Sequence, residues 1–527
     1  MGGRRTGKLG DWRATALLCG AAAVPFAPGA GQFFQRGLPD ILYTGDGAAL
    51  ELGTLHAARG LQLLGPYSRF GWSHPGPTFF YLAAPIYELF GRRAPALNLF
   101  TLAAQYACAI GIVLIAARLR DALFALAVSA LVAVYALVGL PFLLANEWNP
   151  LFPILPLVLL SFIALDFARG RRWPVPLFAF VASLIVQTHI AYTPEVLATL
   201  VFALVSRRSR AKRLPVETIG SGIWLATAGI LAACWMLPIY QEIVERPGNI
   251  ELIVRFFVPK NWAEHTWSVA FSTVVEQLTV MPLAVVRTFH VANAGPKTAW
   301  IVGLALAQPL GVVVVRLSTN DDDLKSLANL VLIQFVVAIL AVRAIRGEIE
   351  LYLVAWISLV GLLSWGVAAA WLTTTLPLVF GVLAGRIIVS SGAGILLGLA
   401  LAAPVAHGAV FHERDPDAER IARDVAAYLR TASVERPTIQ IAARETWPTA
   451  AAVVLYLYKH GTPISVEDEW LTVVGRTFKA PAGEHPTLIF DDAAVNAESR
   501  RGGATLVTRS GTVSVYVTAT RALRSPT

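Results

Sequence analysis

Between Asp40 and Gly91 the chain sets Asp46, Glu51, His56, Arg69 and His74 among glycines, aromatics and aliphatics. A carboxylate such as Asp46 can take a proton from a hydroxyl, provided something holds it where the hydroxyl arrives. Arg69 and His74 flank the sharp turn of Ser68-Arg69-Phe70-Gly71-Trp72-Ser73-His74-Pro75-Gly76-Pro77. A guanidinium and an imidazole at one turn suit an anionic, phosphate-like group. Trp72 adds a ring face for stacking on a substrate, or for anchoring at a membrane interface. A connection this long between apolar segments is seldom a passive linker.

Asp46 opens a helical pattern, Gly47 to Gly60, whose Leu50, Leu52, Leu55 and Leu61 recur at helical spacing. The pattern predicts a helix lying on a membrane surface. Aspartate is also a favoured helix cap, and capping is compatible with facing a cavity. Glu51 points to a different face, as a substrate-binding acid or a solvated one. His56 reads as an interfacial histidine and Tyr67 as an interfacial anchor. Pro75 to Phe90 is a second, shorter apolar segment in the interface. Two further clusters fall at the ends of apolar runs: Asn146-Glu147-Trp148-Asn149-Pro150, and Gln187-Thr188-His189-Ile190-Ala191-Tyr192. Polar groups at membrane depth either line a cavity or bond one helix to another. Here Glu147 reads as a second catalytic acid, and Trp148, Gln187, His189 and Tyr192 as substrate-binding groups. Two carboxylates, Asp46 and Glu147, on one face leave a divalent metal ion open. No organic cofactor is expected.

The elements that must position these groups are membrane helices. Of 527 residues 56% are hydrophobic and 15% charged, against about 25% charged in soluble domains. Apolar runs of about 20 residues recur, flanked by arginines. The first, Ala14 to Ala30, follows Arg4, Arg5, Lys8 and Arg13 and reads as a signal anchor with a cytoplasmic N-terminus. Cys19, Cys108 and Cys234 all sit in apolar runs, which excludes a disulfide framework and a cysteine zinc site. From Val410 onward acids and bases balance, so the net charge of +9 lies in the membrane part. That is the positive-inside pattern and not a nucleic-acid footprint. The expected fold is an all-α polytopic membrane protein of about thirteen spans, or twelve if Val269 to Val286 lies on the surface. The basic residues favour thirteen, which puts the tail outside and Thr373 to Pro377 at the outer face. The expected domains are 1–411, with a first outer loop at 33–94, and a small extracytoplasmic α/β domain at 412–527. The tail reads helix (417–429), strand (438–442), helix (450–460), strand (464–467), strand (488–490) and hairpin (505–508 with 513–517).

The acid at Asp46, the His-Pro-x-Pro of His74 to Pro77 running into Phe79-Phe80-Tyr81-Leu82-Ala83-Ala84-Pro85-Ile86-Tyr87-Glu88-Leu89-Phe90-Gly91, and the basic end of the following helix resemble the GT-C glycosyltransferases. The similarity is to the protein-mannosyltransferase and aminoarabinose-transferase type, glycosyltransferase family 39. It covers residues 14–210 well and the rest as architecture. It implies a polyprenyl-phosphate-linked sugar donor, a glycan, lipid or protein acceptor, and transfer at the outer face of a bacterial plasma membrane. Under it Asp46 matches the first-loop catalytic acid, His74 the basic residue facing the donor phosphate, and Glu147 the acid ending the third helix. Thr373 to Pro377 falls where relatives carry an outer Leu-Pro motif. Two positions depart: Gly47 stands where relatives often place a second acid, and Glu147 where they often have Asp. The same lining without a base would suit a transporter or flippase of lipid-linked sugars, or a non-catalytic envelope-assembly protein. Transporters often show internal repeats, and none is seen here.

Overall fold

The computed structural model describes residues 12–140, 143–258, 263–289, 295–403, 412–481, 485–493 and 504–521. Arg4, Arg5 and Lys8 lie outside them. Residue contacts divide the chain into two units. The first comprises Met1–Gly37 and Leu99–Val410; the second comprises Leu38–Asn98 and Phe411–Thr527. The sequence reading divides the chain at 411/412 and leaves the first loop with the membrane part. In the structure that loop shares a hydrophobic core with the tail.

The first unit is helical. Among the described residues of the chain, ten helices of 18 to 30 residues are long and apolar enough to cross a membrane. Two shorter apolar helices, Ile154–Ala168 and Pro174–Thr188, pack among them. At 1.5 Å per residue the ten reach about 27–45 Å, enough for a hydrocarbon layer. The chain is a multi-pass membrane protein.

Helix ends in this unit are tied by ions. Arg120 meets Asp321 at 3.2 Å and donates to the Thr374 hydroxyl at 2.7 Å. Arg169 meets Asp323 at 2.9 Å. Arg207 donates to the carbonyls of Phe167, Arg171 and Glu217. One end of the bundle therefore gathers the arginines. Thr374 sits at that end, beside Arg120, so Thr373 to Pro377 lie at the same end as the arginines that the sequence reading puts inside. The reason is hydrogen bonding: Arg120 finds its partners on the loop at Asp321 and on a threonine one helix away.

The stretch read as a span or a surface helix at Val269 to Val286 is two consecutive helices joined at Thr279, Trp267–Leu278 and Val280–Thr288, together one of the ten. Its start is tied to the carbonyl of Arg343, which accepts from the backbone N–H of Glu264 at 3.0 Å. Arg343 ends the Asp322–Arg343 helix, which starts at the arginine-rich end. Past Thr279, Val280 and Ala284 pack on Gly139, the far end of the helix that begins beside Arg120. Between them, the Leu278 carbonyl accepts from Gln308, midway along the Ala299–Ser318 helix, at 2.8 Å.

The second unit holds a five-stranded sheet with order β2-β1-β3-β5-β4. The strands are β1 (Thr438–Ile441), β2 (Ser465–Val466), β3 (His485–Asp492), β4 (Thr505–Ser510) and β5 (Val513–Arg521). β1 runs parallel to β2 and β3; β3, β5 and β4 are antiparallel. The β4–β5 turn falls on Gly511 and Thr512, so β4 runs two residues further than the strand read from sequence at 505–508. Helices Pro416–Thr431 and Trp447–Lys459 pack together, with Ile421, Val425, Val453 and Leu457 in the core.

The Gly45–Ala58 helix is not a surface helix. Twelve of its 14 residues are buried. Ala48 and Leu52 enter the core of the tail, while Gly53 lies against Phe80 of the Thr78–Leu89 helix. A helix covered on all sides needs no amphipathic stripe. That is why its leucines fall at Leu50, Leu52 and Leu55, on different faces. It buries Glu51, whose Oε1 accepts from Tyr87 Oη at 2.7 Å and from Lys459 Nζ at 2.8 Å. His56 is buried too. Its Nε2 lies 3.0 Å from Thr477 Oγ1, its ring packs on Phe478 and Tyr458, and Gly475 leaves room for it.

Burial pushes the Glu51 carboxyl up even though Lys459 opposes the shift. Lys459→Met removes the opposing charge, so a folded-state value above the unfolded one rises further. The variant should be less stable by about 3 kcal/mol at neutral pH, and the loss should shrink as pH falls and Glu51 protonates. Thermal unfolding of the full chain in detergent at several pH values measures this.

Burial lowers the His56 imidazole to about 4. The unfolded chain then binds a proton that the folded chain refuses between about pH 6.5 and pH 4. Stability should fall through that window, and His56→Gln should flatten the fall. Gly53→Ala would bring a methyl to 2.6 Å from the Phe80 ring. It should cost about 1–3 kcal/mol, read by the same unfolding measurement.

Candidate functional site

Asp46 is the second residue of the Gly45–Ala58 helix. The helix starts here because Gly45 takes φ +53°, a left-handed conformation that glycine adopts freely, after an extended Thr44. Space does not require the glycine: a Cβ on Gly45 would meet Pro448 and Trp447 at 3.4–3.5 Å, ordinary contact distances, so the positive φ is the reason. Asp46 does not occupy the cap position, which Thr44 holds without a side-chain bond. Its Oδ1 accepts a hydrogen bond from the Tyr67 hydroxyl.

Tyr67 belongs to a small hairpin. Tyr67 and Ser73 form an isolated antiparallel bridge. Ser68 N–H donates to the Trp72 carbonyl at 2.8 Å, and His74 N–H to the Pro66 carbonyl at 2.8 Å. Gly71, at φ +82°, makes the turn. Trp72, Ser73 and His74 are all buried, and the Trp72 and His74 rings meet edge to face with centroids 5.6 Å apart. Arg69 stays exposed at the tip, over the Phe70 ring. The Tyr67 ring meets the edge of Trp447, which stacks on Trp470. Asp46, Tyr67, Trp72 and His74 are therefore held by one short segment packed on the tail. Tyr67 is the residue that sequence reading misplaced as an interfacial anchor. It lies 21 residues from Asp46, and no local pattern joins them. Glu51, read as a substrate-binding acid, instead faces Tyr87 and Lys459 in the interior of the unit.

In the helical unit the two polar clusters meet. Asn149 Nδ2 donates to the Thr188 carbonyl at 3.5 Å, and the Tyr192 hydroxyl to the Pro150 carbonyl at 2.6 Å. Glu147 is buried, and the Trp148 ring lies 5.6 Å from that of Tyr352. His189 meets Tyr192 edge to face. Gln187 donates to the Cys234 carbonyl at 2.8 Å. Gln187 and Tyr192 thus bond backbone across helices. Glu195 was not singled out from sequence, because an acid after proline at a helix start reads as an ordinary first-turn residue. It is fully buried, against Thr199 and Gln334. Among the described residues no group of three or more His, Cys, Asp or Glu side chains is arranged to hold a metal ion.

No protein-family model matches the chain, and no curated protein does. Solved structures do. ArnT from Cupriavidus metallidurans bound to undecaprenyl phosphate aligns with a TM-score of 0.53 at 14% identity, over 95% of this chain and 97% of that one. The apo state of the same protein gives 0.43 at 13% identity, over 95% and 97%. The Archaeoglobus fulgidus oligosaccharyltransferase in the apo form gives 0.42 at 11%, over 92% of this chain and 70% of that one. At such identities the likeness speaks to architecture: the chain shares the fold of ArnT, which aligns over nearly its whole length.

Proposed function

We propose that the chain is a membrane glycosyltransferase that moves a sugar from a polyprenyl-phosphate-linked donor to a hydroxyl of an envelope glycan, lipid or protein. The proposed location is the outer face of a bacterial plasma membrane. The observation that carries this reading is the placement of Asp46: a carboxylate at the start of a buried helix, with Oδ1 held by Tyr67. The fold shared with ArnT, whose crystal structure holds undecaprenyl phosphate, supports the donor class. Asp46 Oδ2 is assigned to the acceptor proton. The acceptor oxygen attacks the anomeric carbon from the face opposite the phosphate and the new C–O bond forms. The bond from the anomeric carbon to the phosphate oxygen breaks, and polyprenyl phosphate leaves with the electron pair. The configuration inverts. His74 and Arg69 would hold the departing phosphate, since hydrogen-bond donors aimed at developing charge lower the barrier. Trp72, edge to face with His74, is assigned to lining the same site. Glu51, Gln187 and Tyr192 are left as structural groups, because Glu51 Oε1, Gln187 Nε2 and the Tyr192 hydroxyl are engaged within the protein.

Two variants test the base. Asp46→Asn keeps the shape and removes the proton acceptor, and should lower transfer by about 10²–10⁴-fold. Tyr67→Phe keeps the base but frees its orientation, and should lower kcat by about tenfold with little change in donor KM. Both are read as transfer of labelled sugar from polyprenyl phosphate by the full chain in lipid nanodiscs. Full transfer by Asp46→Asn would remove Asp46 as the base. Translocation of the donor without any transfer, by wild type and variant alike, would favour the flippase reading.

A further inference from the structure

The second unit contains a cavity of about 500 Å³ at the opposite end of the Trp447–Lys459 helix from Asp46. Trp447 begins that helix beside Tyr67, and Lys459 ends it in the cavity wall. The two are the ends of a 13-residue helix, about 18 Å apart along the axis. The cavity lies within the unit, where the end of the Gly45–Ala58 helix, the turn after Leu89, the start of the Pro416–Thr431 helix and the end of the Trp447–Lys459 helix come together.

Its wall is basic. Six arginine and lysine side chains line it, against Asp40 and Glu419. Three of the six have a carboxylate partner. Arg414 forks onto Glu419 at 2.6–2.7 Å, Arg92 pairs with Glu88 at 2.9 Å, and Lys459 pairs with Glu51 at 2.8 Å. The other three, Arg59, Arg93 and Arg423, are held by neutral groups. Arg59 lies over the Tyr458 ring at 4.4 Å, Arg93 donates to the Leu38 carbonyl at 2.8 Å, and Arg423 to the Glu419 carbonyl at 3.3 Å. Rings and carbonyls orient a guanidinium without cancelling its charge. Counting Glu51 and Glu88 behind the wall with Asp40 and Glu419 in it, six cations face four carboxylates, an excess of two. Arginine forks match phosphate oxygens two at a time. A monocarboxylate would leave one positive charge over; a dianionic phosphate balances the site.

We propose that this cavity is a second anion site, which binds a ligand bearing a dianionic phosphate group through Arg59, Arg93 and Arg423. The phosphate can belong to a lipid headgroup or to a soluble phosphate ester; the chemistry of recognition is the same. The site does not use the transfer machinery, so it stands or falls separately from the role given to Asp46.

The test uses the full chain in detergent. Inorganic phosphate, titrated by calorimetry, should bind the wild type and Asp46→Asn equally. It should bind Arg59→Gln/Arg93→Gln/Arg423→Gln at least tenfold more weakly. Native mass spectrometry with phosphatidic acid and phosphatidylcholine separates the sources. Phosphatidic acid adducts that phosphate displaces, with none from phosphatidylcholine, would identify a headgroup; phosphate binding without such adducts would identify a soluble ester. Should the triple variant fail to fold, Arg423→Gln alone should weaken phosphate binding severalfold. Equal binding by wild type and variants, or binding of neither probe to the wild type, would overturn the proposal.

Discussion

A buried charge organises the second unit. Glu51 lies on the Gly45–Ala58 helix with no solvent exposure, and Lys459, 408 residues away in sequence, answers it. An ionised carboxylate in such a place is costly unless paired and hydrogen-bonded. The pairing ties the first loop to the end of the tail helix, and Tyr87 adds the second loop helix to the same oxygen. Three segments from distant parts of the chain therefore close around one side chain. Whatever the loop and tail do chemically, they do as one body.

That body has two chemically different ends. At the start of the Trp447–Lys459 helix, Gly45 lies beside Trp447 and Pro448, and Asp46 follows with its oxygen held by Tyr67. At the finish, arginines held by carbonyls and a ring surround a cavity. The middle is apolar: Ala48 and Leu52 sit with Val453, Val454 and Leu457. An apolar middle with polar ends is what a helix buried along its length and open at its termini produces, since only its ends can meet solvent or ligand.

In the helical unit, polar residues are distributed between two tasks. Arg120, Arg169 and Arg207 fasten helix ends through Asp321, Asp323 and backbone carbonyls. At the other end, Asn149 and Tyr192 bond the second polar cluster to the third. Within a hydrocarbon layer each unmet polar group is expensive, so many candidate ligands read from sequence serve as interhelical bonds. Gln187 is the plainest case, because its amide meets a carbonyl on the neighbouring helix.

Composition and apolar runs were enough to reveal a polytopic membrane chain, and the tail's alternating helices and strands were legible to within a few residues. Those features are local: hydropathy, periodicity and turn residues act over short stretches of chain. The motif around Asp46 and His74 was legible for the same reason, and it pointed to the fold later found in ArnT. Three things needed the tertiary structure. The burial of the Gly45–Ala58 helix was hidden because a helix covered on every side has no polar face to betray its setting. The Tyr67–Asp46 bond and the Glu51–Lys459 pair were hidden because nothing in the local pattern tells which distant side chain will answer a charge. The basic end that holds Thr374 was hidden because it is set by where Arg120 finds partners, and that depends on which helices pack side by side.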